Sequence, residues 1–452
     1  MNVEVKRVWA KNFKSLKEID LKLNQFNLIV GPNGSGKSNI LELFKFISLC
    51  IRPPARPSYP FAPWWGYGNI VWKGQEDIPI TFGMEYLYYG YNASYEVTVS
   101  GYGGKLTILE ETLDIKNILK LVRKSKEVTL TYDDSFLSLI STNFKLPSNI
   151  PYLTPVPPLS TLVDQKITTE KIKIQKIDFI PEDISILSMV NGWSAIHSQD
   201  MKYSLGTINI NNNSSNIGNS FTQLVSASPL ILKDFPFHSN VPLFPTILEF
   251  PGINDILFIR SPDSSSIRSA DQFKNNNTLS ERGEGLTNLL FTWFNKSKKL
   301  PDRIESAIKE MFPGYEITFQ LTPDGRIILN VQDHGLTLQP HSIPDGFYKM
   351  LFILAAIELK PKILLIDEIE NSLYASLIEY IMDSLQSCDT TVIVSTHSPV
   401  VVDLTHIEDI ILTENIGLET KCRKVDNPDK LKKKLVEKGI SVSESWLYGG
   451  FK

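Results

Sequence analysis

The sequence predicts an α/β fold: a mixed, largely parallel sheet with helices packed on it, interrupted by an inserted domain. Three observations carry this. The apolar runs FNLIV (26–30) and ILLI (363–366) end abruptly in polar loops, as strands buried on both faces do. A glycine-rich loop, GPNGSGKS (31–38), joins the first run to a helical pattern. From 346 onward the pattern alternates helix, strand, helix, strand, which is the signature of parallel pairing.

The elements follow in order. VEVKRVWA (3–10) and EIDLKL (18–23) alternate with a period of two and read as strands, with FNLIV as the third. Residues Lys37–Ile51 read as a helix with an apolar stripe of Ile40, Leu41, Phe44, Ile47 and Leu49. RPPARPSYPFAP (52–63) stops it, because proline removes a donor and clashes with the preceding turn. NIVWK (69–73), IPITFGMEYLYY (78–89) and SYEVTVS (94–100) are rich in β-branched and aromatic residues and read as strands. Residues 101–244 mix strand-like KIKIQKIDFI (171–180), the proline cluster PYLTPVPPL (151–159) and the loop-like NINNNSSNIGNS (209–220). They read as an insertion domain of unknown fold without a sustained heptad pattern, flanked by segments 1–100 and 245–452.

Beyond it, GLTNLLFTWFNK (285–296) and PDRIESAIKEMF (301–312) read as helices, the second with Pro301 in its first turn. YEITFQL (315–321) and RIILNVQ (326–332) form a hairpin around Thr322-Pro323-Asp324-Gly325. Helix GFYKMLFILAAIEL (346–359), strand KILLID (362–367), helix YASLIEYIMDSL (374–385) and strand TVIVS (391–395) complete the pattern.

Bulk composition excludes several classes. Of 452 residues, 42% are hydrophobic and 21% charged, enough apolar material for a sizeable core. The net charge of −4 excludes a uniformly basic surface, although a sum does not report local patches. KSKK (296–299), KCRK (421–424) and KLKKK (430–434) read as solvated faces of surface helices, weighed against a nucleic-acid patch. WWGY (64–67) and YLYYGY (86–91) read as packing, weighed against base stacking, and Trp446 as a packing anchor. Cys50, Cys388 and Cys422 are far apart with no C-x-x-C, so neither a disulfide framework nor a zinc site is expected. The N-terminus lacks a signal-peptide core and no apolar run reaches the ~18 residues of a membrane span. A cytoplasmic protein with no membrane association is the expectation.

GPNGSGKS fits G-x-x-x-x-G-K-[ST]. Glycines let the backbone approach a polyphosphate, and successive N–H groups point inward at a helix N-terminus. Gly31, Pro32, Asn33, Gly34, Ser35, Gly36, Lys37, Ser38 and Asn39 form the expected ATP-binding set. Lys37 reaches the β- and γ-phosphates and the Ser38 hydroxyl ligates Mg²⁺. A bare glycine turn before a helix is the competing reading. ILLIDEIEN (363–371) delivers two carboxylates at a strand end: Asp367 to hold Mg²⁺, Glu368 to orient or deprotonate the attacking water. An ordinary acidic turn competes with it. VIVSTHSP (392–399) ends a later strand at His397, placed to contact the γ-phosphate and counted with Glu368 as catalytic.

These three motifs, in this order, resemble the ABC-type AAA family ATPases, which include RecF, SMC and OLD-like proteins. NFKSLKEIDLKLNQFNLIVGPNGSGKSNIL (12–41) is similar to the family's opening strands and Walker A loop, ILLIDE to its Walker B strand and STHSP to its H-loop. Phe13-Lys14-Ser15 resembles the segment near the adenine, and Gln75 the Q-loop glutamine. The resemblance covers 1–100 and 245–452. It implies a P-loop NTPase of ABC-ATPase type that binds ATP and Mg²⁺ and hydrolyses ATP as a homodimer, each subunit's signature segment capping the other's γ-phosphate.

HSIPDGFYKMLFILAAI (341–357) matches that segment, with Ser342, Asp345 and Gly346 as the signature-like residues. It departs from the family at Pro344, where a serine is usual, and beyond the carboxylates at Ile369-Glu370 and Leu373-Tyr374, where the family often has Pro-Glu and His-Pro. No coiled-coil arm is expected, and no TOPRIM nuclease domain, since no Asp-x-Asp follows His397. The implied partners are double-stranded DNA, in repair or defence against mobile elements, or a separately encoded nuclease or effector whose engagement ATP would switch. A nucleotide-binding structural protein without turnover is a third, weaker reading.

Overall fold

The computed structural model describes residues 4–51, 60–88, 91–116, 119–124, 127–132, 255–274 and 278–450. Strands β1 (Glu4–Phe13), β2 (Leu16–Lys22) and β3 (Phe26–Val30) and helix α1 (Lys37–Ile51) open the chain. Strands β4 (Ile80–Tyr88), β5 (Tyr91–Ser100), β6 (Thr107–Ile115), β7 (Leu119–Lys124) and β8 (Glu127–Tyr132) follow. The described residues group into two compact units: 9–14 with 46–132, and 4–8 with 15–45 and 255–450.

In the first unit β4 to β8 form an antiparallel meander, each strand paired with the next. Its aromatic core gathers Phe13, Phe46, Phe61, Trp64, Tyr67 and Phe82, with ring centroids 5.2–6.3 Å apart. The WWGY cluster is therefore mostly packing: Trp64 and Tyr67 are buried, while Trp65 stands 93% exposed. β6 to β8 lie within the expected insertion and continue the meander from β5, with β6 paired directly onto it. Residues 133–254, which include the runs at 151–159, 171–180 and 209–220, lie outside the described residues, as do 52–59.

The second unit holds strands β9 (Ile256–Ile259), β10 (Asp271–Gln272), β11 (Tyr315–Leu321), β12 (Arg326–Asp333), β13 (Leu336–Leu338), β14 (Ile363–Ile366), β15 (Thr391–Thr396), β16 (Ile410–Ile416) and β17 (Glu419–Lys424). Its helices are α2 (Ser264–Arg268), α3 (Leu286–Ser297), α4 (Asp302–Met311), α5 (Asp345–Glu358), α6 (Ala375–Gln386), α7 (Pro399–Asp403), α8 (Pro428–Lys438) and α9 (Val442–Leu447). The main sheet runs β17-β16-β3-β15-β14-β9, parallel except for β17. β3, β14 and β15 are buried at every position, which explains why apolar residues dominate them. Helix α5 is buried from Phe347 to Ile357 and packs with α3, α4 and α6 against the sheet. A helix apolar on every side is a core element, and α5 is one. The register aligns the C-terminal ends of β3, β14 and β15, which puts the loops after them on one edge.

The hairpin β11–β12 forms around Thr322–Gly325 as its turn chemistry requires. Trp446 packs partly buried against the core. Three local readings need correction. NIVWK is not a strand: it lies in 3₁₀ turns Tyr67–Asn69 and Trp72–Gly74, with one isolated bridge, Phe13 to Val71. Its β-branched and aromatic residues fill the aromatic core from turns, which Lys73 and Gly74 close at positive φ. KCRK is not a helix face but the edge strand β17, whose inward side holds Thr420. Pro301 caps α4 from just outside rather than entering its first turn. Among the described residues no helix is long and apolar enough to cross a membrane.

Candidate functional site

The loop after β3 is shaped by two glycines in the left-handed region, Gly34 (φ 78°) and Gly36 (φ 100°). Two later strands brace it from behind. Ser35 Oγ and Thr413 Oγ1 are 2.8 Å apart, and Thr413 Oγ1 donates to the Val30 carbonyl. Asn415 Nδ2 donates to the Gly34 carbonyl at 3.2 Å. From β17, Thr420 meets Ser15 through backbone and hydroxyl, and Asn39 Nδ2 donates to Ser15 Oγ at 2.6 Å. Pro32, Asn33 and Gly34 remain exposed. α1 starts at Lys37, so its first-turn N–H groups have no intrahelical acceptor and, with the helix dipole, favour an anion. The bracing leaves no space at Gly36, where an added Cβ would lie 1.9 Å from Thr420 Oγ1. Gly36→Ala is expected to cost roughly 1–3 kcal/mol from strain alone. A lower urea midpoint would show it; a wild-type midpoint would contradict the close approach.

Lys37 is buried and folds back over its loop, Nζ donating to the carbonyls of Gly31 (2.9 Å) and Pro32 (3.2 Å). Burial lowers its pKa; Glu368, Asp367 and Glu370 oppose that shift. Ser38 Oγ donates to Asp367 Oδ1 at 3.3 Å, joining the helix start to the end of β14. The same carboxylate oxygen takes the Ser395 hydroxyl at 2.5 Å.

Glu368 adopts a left-handed backbone (φ 50°), uncommon for a residue with a Cβ. Its N–H donates to Ser395 Oγ (2.9 Å) and its carbonyl accepts from Lys349 Nζ (3.0 Å), so both sides of the residue are held. Its carboxylate accepts from Asn371 Nδ2 at 2.7 Å. Glu370 takes the Thr396 hydroxyl on one oxygen and the His397 backbone N–H on the other, which lies 2.9 Å from His397 Nδ1 as an ion pair.

Lys349 is wholly buried in α5, and burial pulls its pKa down to about 8, against the opposing charges of Glu370, Glu368 and Asp367. The ordinary value is 10.5. Below pH 8 the lysine is protonated in folded and unfolded chains alike. Between about 8 and 10.5 the folded chain releases the proton first, so the unfolded chain binds more protons and stability rises with pH. The expected rise is about 3 kcal/mol, read from urea midpoints between pH 7 and 10. Lys349→Met should flatten it; an equal rise in that variant would contradict the assignment.

The donor set at Ser38 and Asp367 fits Mg²⁺. It offers hard oxygens, and Mg²⁺ is commonly held by one or two carboxylates together with substrate phosphates. Among the described residues no group of three His, Cys, Asp or Glu is placed to hold a metal ion.

The structure thus brings Lys37, Ser38, Asp367, Glu368 and His397 to one edge of the sheet. The signature-like residues form their own cluster at the start of α5. Ser342 is exposed in a 3₁₀ turn, and Pro344 caps α5 without a side-chain hydrogen bond. Asp345 pairs with Arg268 Nη2 (2.8 Å), which also donates to the Ile343 carbonyl and lies over the Tyr348 ring. Gly346 packs so closely that a Cβ would sit 2.8 Å from the Ser372 carbonyl. Gln75 lies exposed in a turn of the other unit. Sequence reasoning missed Lys349, Glu370, Asn371, Ser395, Thr413, Asn415 and Thr420. A lone lysine in the apolar run of α5 was a usable signal, and Glu370, Asn371 and Ser395 stood inside motifs already singled out. Thr413, Asn415 and Thr420 carry no local signal.

Two family profiles match the chain. One, described as "AAA ATPase domain", covers residues 4–228. The other, described as "AAA domain, putative AbiEii toxin, Type IV TA system", covers 253–403. Curated relatives match over short stretches. The Chromosome partition protein Smc of Methanocaldococcus jannaschii is 48% identical over 46 residues, 10% of this chain. The OLD nuclease of Thermus scotoductus is 42% identical over 52 residues, 12% of this chain. The matches span only 4% and 10% of those relatives' own lengths.

Among solved structures, the Smc head domain with an extended coiled coil bound to the C-terminal domain of ScpA, derived from Pyrococcus furiosus, aligns over 96% of this chain and 99% of its own, at 14% identity and a TM-score of 0.45. The SMC head domain from Thermotoga maritima aligns over 94% and 100%, at 12% identity and a TM-score of 0.37. With an AAA profile on each of two separated segments, and the phosphate loop, acidic strand end and histidine strand converging on one sheet edge, the chain belongs to the ABC-type AAA ATPases.

Proposed function

We propose that the chain binds Mg-ATP at this edge, hydrolyses it as a cytosolic homodimer closed by nucleotide, and couples that cycle to double-stranded DNA. One observation carries the reading: Ser38 Oγ lies 3.3 Å from Asp367 Oδ1 at the mouth of the glycine loop, so a hydroxyl and a carboxylate distant in sequence share one ion-sized position. Lys37 swings from its own loop carbonyls to the β- and γ-phosphates. Ser38 and Asp367 would hold Mg²⁺, which would neutralise phosphate charge. Glu368 orients the attacking water, and His397 stands beside the reacting end of the nucleotide. Exposed Ser342, in the turn before α5, can face a second copy. The DNA coupling draws support from the relatives' names, a chromosome partition protein and a nuclease, and from the exposed lysines 430, 432, 433 and 434 on α8.

The test is steady-state ATP hydrolysis with and without double-stranded DNA, alongside Lys37→Ala and Glu368→Gln. Turnover abolished in both variants and raised by DNA supports the whole reading. Turnover indifferent to DNA would overturn the DNA coupling and favour a switch acting on a protein partner. ATP binding equal in wild type and Lys37→Ala would overturn the site itself.

A further inference from the structure

Lys349 is the one charged residue in the buried run of α5 from Phe347 to Ile357, and the reading above gives it no role. Its side chain is wholly buried. An apolar side chain of similar length would fill the space without the cost of burying an ammonium, so packing alone does not account for a lysine there. What the ammonium reaches does: Nζ donates to the Glu368 carbonyl at 3.0 Å.

Glu368 is a residue that needs holding. Its left-handed backbone (φ 50°) is costly for a residue with a Cβ and persists only where the surroundings enforce it. The carbonyl also accepts the Asn371 N–H at 3.2 Å, but that donor belongs to the same loop and moves with it. Two contacts reach the Glu368 backbone from other elements: Ser395 of β15 on the N–H, at 2.9 Å, and Lys349 of α5 on the carbonyl. The first turn of α5 meets the same loop again, four residues on. A Cβ at Gly346 would lie 2.8 Å from the carbonyl of Ser372, itself left-handed (φ 63°). Gly346 and Lys349 are three residues apart and so share a face of the helix. α5 therefore meets both ends of the loop 368–372.

We propose that Lys349 is a positioning residue for Glu368. Its ammonium holds the Glu368 carbonyl, keeps the left-handed backbone that aims the carboxylate, and ties that carboxylate to the first turns of the helix that opens on the signature-like residues. This rests on the ATPase reading of the same site. Without the ammonium the Glu368 backbone relaxes towards the right-handed region, which rotates its Cα–Cβ direction and carries the carboxylate off its place. Lys37 and Ser38, which hold the nucleotide, stand on another element and keep theirs.

Lys349→Met in the full chain separates positioning from support. Hydrogen exchange of the nucleotide-free protein, read by mass spectrometry, is expected to be at least ~10-fold faster in peptides across 367–373, with β3 and α1 at the wild-type rate. The urea midpoint at pH 7 is expected at or above wild type, because an apolar chain replaces a buried cation. In steady-state ATP hydrolysis kcat is expected to fall about 10- to 100-fold, the change that relaxing one strained backbone position brings, with KM within about threefold. On a Glu368→Gln background, adding Lys349→Met should lower the residual single-turnover rate by no more than about threefold, because the lysine acts through a carboxylate already replaced.

Wild-type exchange at 367–373, wild-type kcat, or losses that multiply in the cycle each overturn the inference. A midpoint well below wild type, or a variant that does not fold, overturns it as well, since Lys349 would then be a support of the core. A wild-type chain that binds no ATP would overturn the proposed function instead, while the exchange rates still report whether Lys349 holds the loop.

Discussion

Lys37→Ala is expected to weaken ATP binding at least ~100-fold, because a hydrogen bond to a charged group contributes roughly 1.5–3 kcal/mol and the lysine is placed to make more than one. Its ammonium is buried and, among the described residues, hydrogen-bonded to the Gly31 and Pro32 carbonyls. Burial disfavours its charged form, so a polyphosphate offers it a better partner than the loop does. The same reasoning separates binding from folding. Removing a cation whose charged form is disfavoured by burial should leave the urea midpoint of the nucleotide-free protein close to wild type. Calorimetric titration with Mg-ATP and a denaturation curve would check both halves. Affinity within threefold of wild type would defeat the assignment of the loop.

Glu368→Gln is expected to lower kcat by about 10²–10⁴-fold, the usual contribution of a positioned acid or base, while ATP remains bound. The geometry predicts this separation. Glu368 is held in a left-handed conformation by Ser395 on its N–H and Lys349 on its carbonyl. Both contacts are to the backbone, and a glutamine would keep them. Its carboxylate is engaged by Asn371, whose amide can donate equally to a glutamine oxygen. Only the acceptor that would draw on the water is weakened. Single-turnover kinetics should show trapped ATP, and light scattering should show the closed dimer accumulating on nucleotide. Turnover within tenfold of wild type would move the base elsewhere.

The main elements of the nucleotide-binding unit were legible because their signals are contiguous. FNLIV, GPNGSGKS and the α1 stripe each declare themselves within a few residues, and Lys37–Ile51 is the helix observed. ILLIDE and VIVSTH declare themselves as apolar runs ending in polar residues. β9, β16 and β17 were not foreseen: four residues in β9 are too few for a period, and β16 alternates too weakly past Thr413. NIVWK misled because strand propensity records a fit to a half-buried surface, and a buried aromatic cluster built from turns offers the same fit. KCRK misled because a charge run carries no information about the backbone beneath it.

The sequence by itself determined the kind of protein: a phosphate loop before a helix, two carboxylates at the end of a buried strand, a histidine one strand later. Those are local arrangements, encoded by spacing along the chain. Only the tertiary structure decided how the groups are held. Thr420 meets Gly36, Ser395 meets Asp367, Lys349 meets Glu368 and Glu370 meets His397 across separate elements. Such pairings arise when strands from distant segments take a common register and a helix is buried against them. No spacing within one segment specifies which side chain will stand opposite.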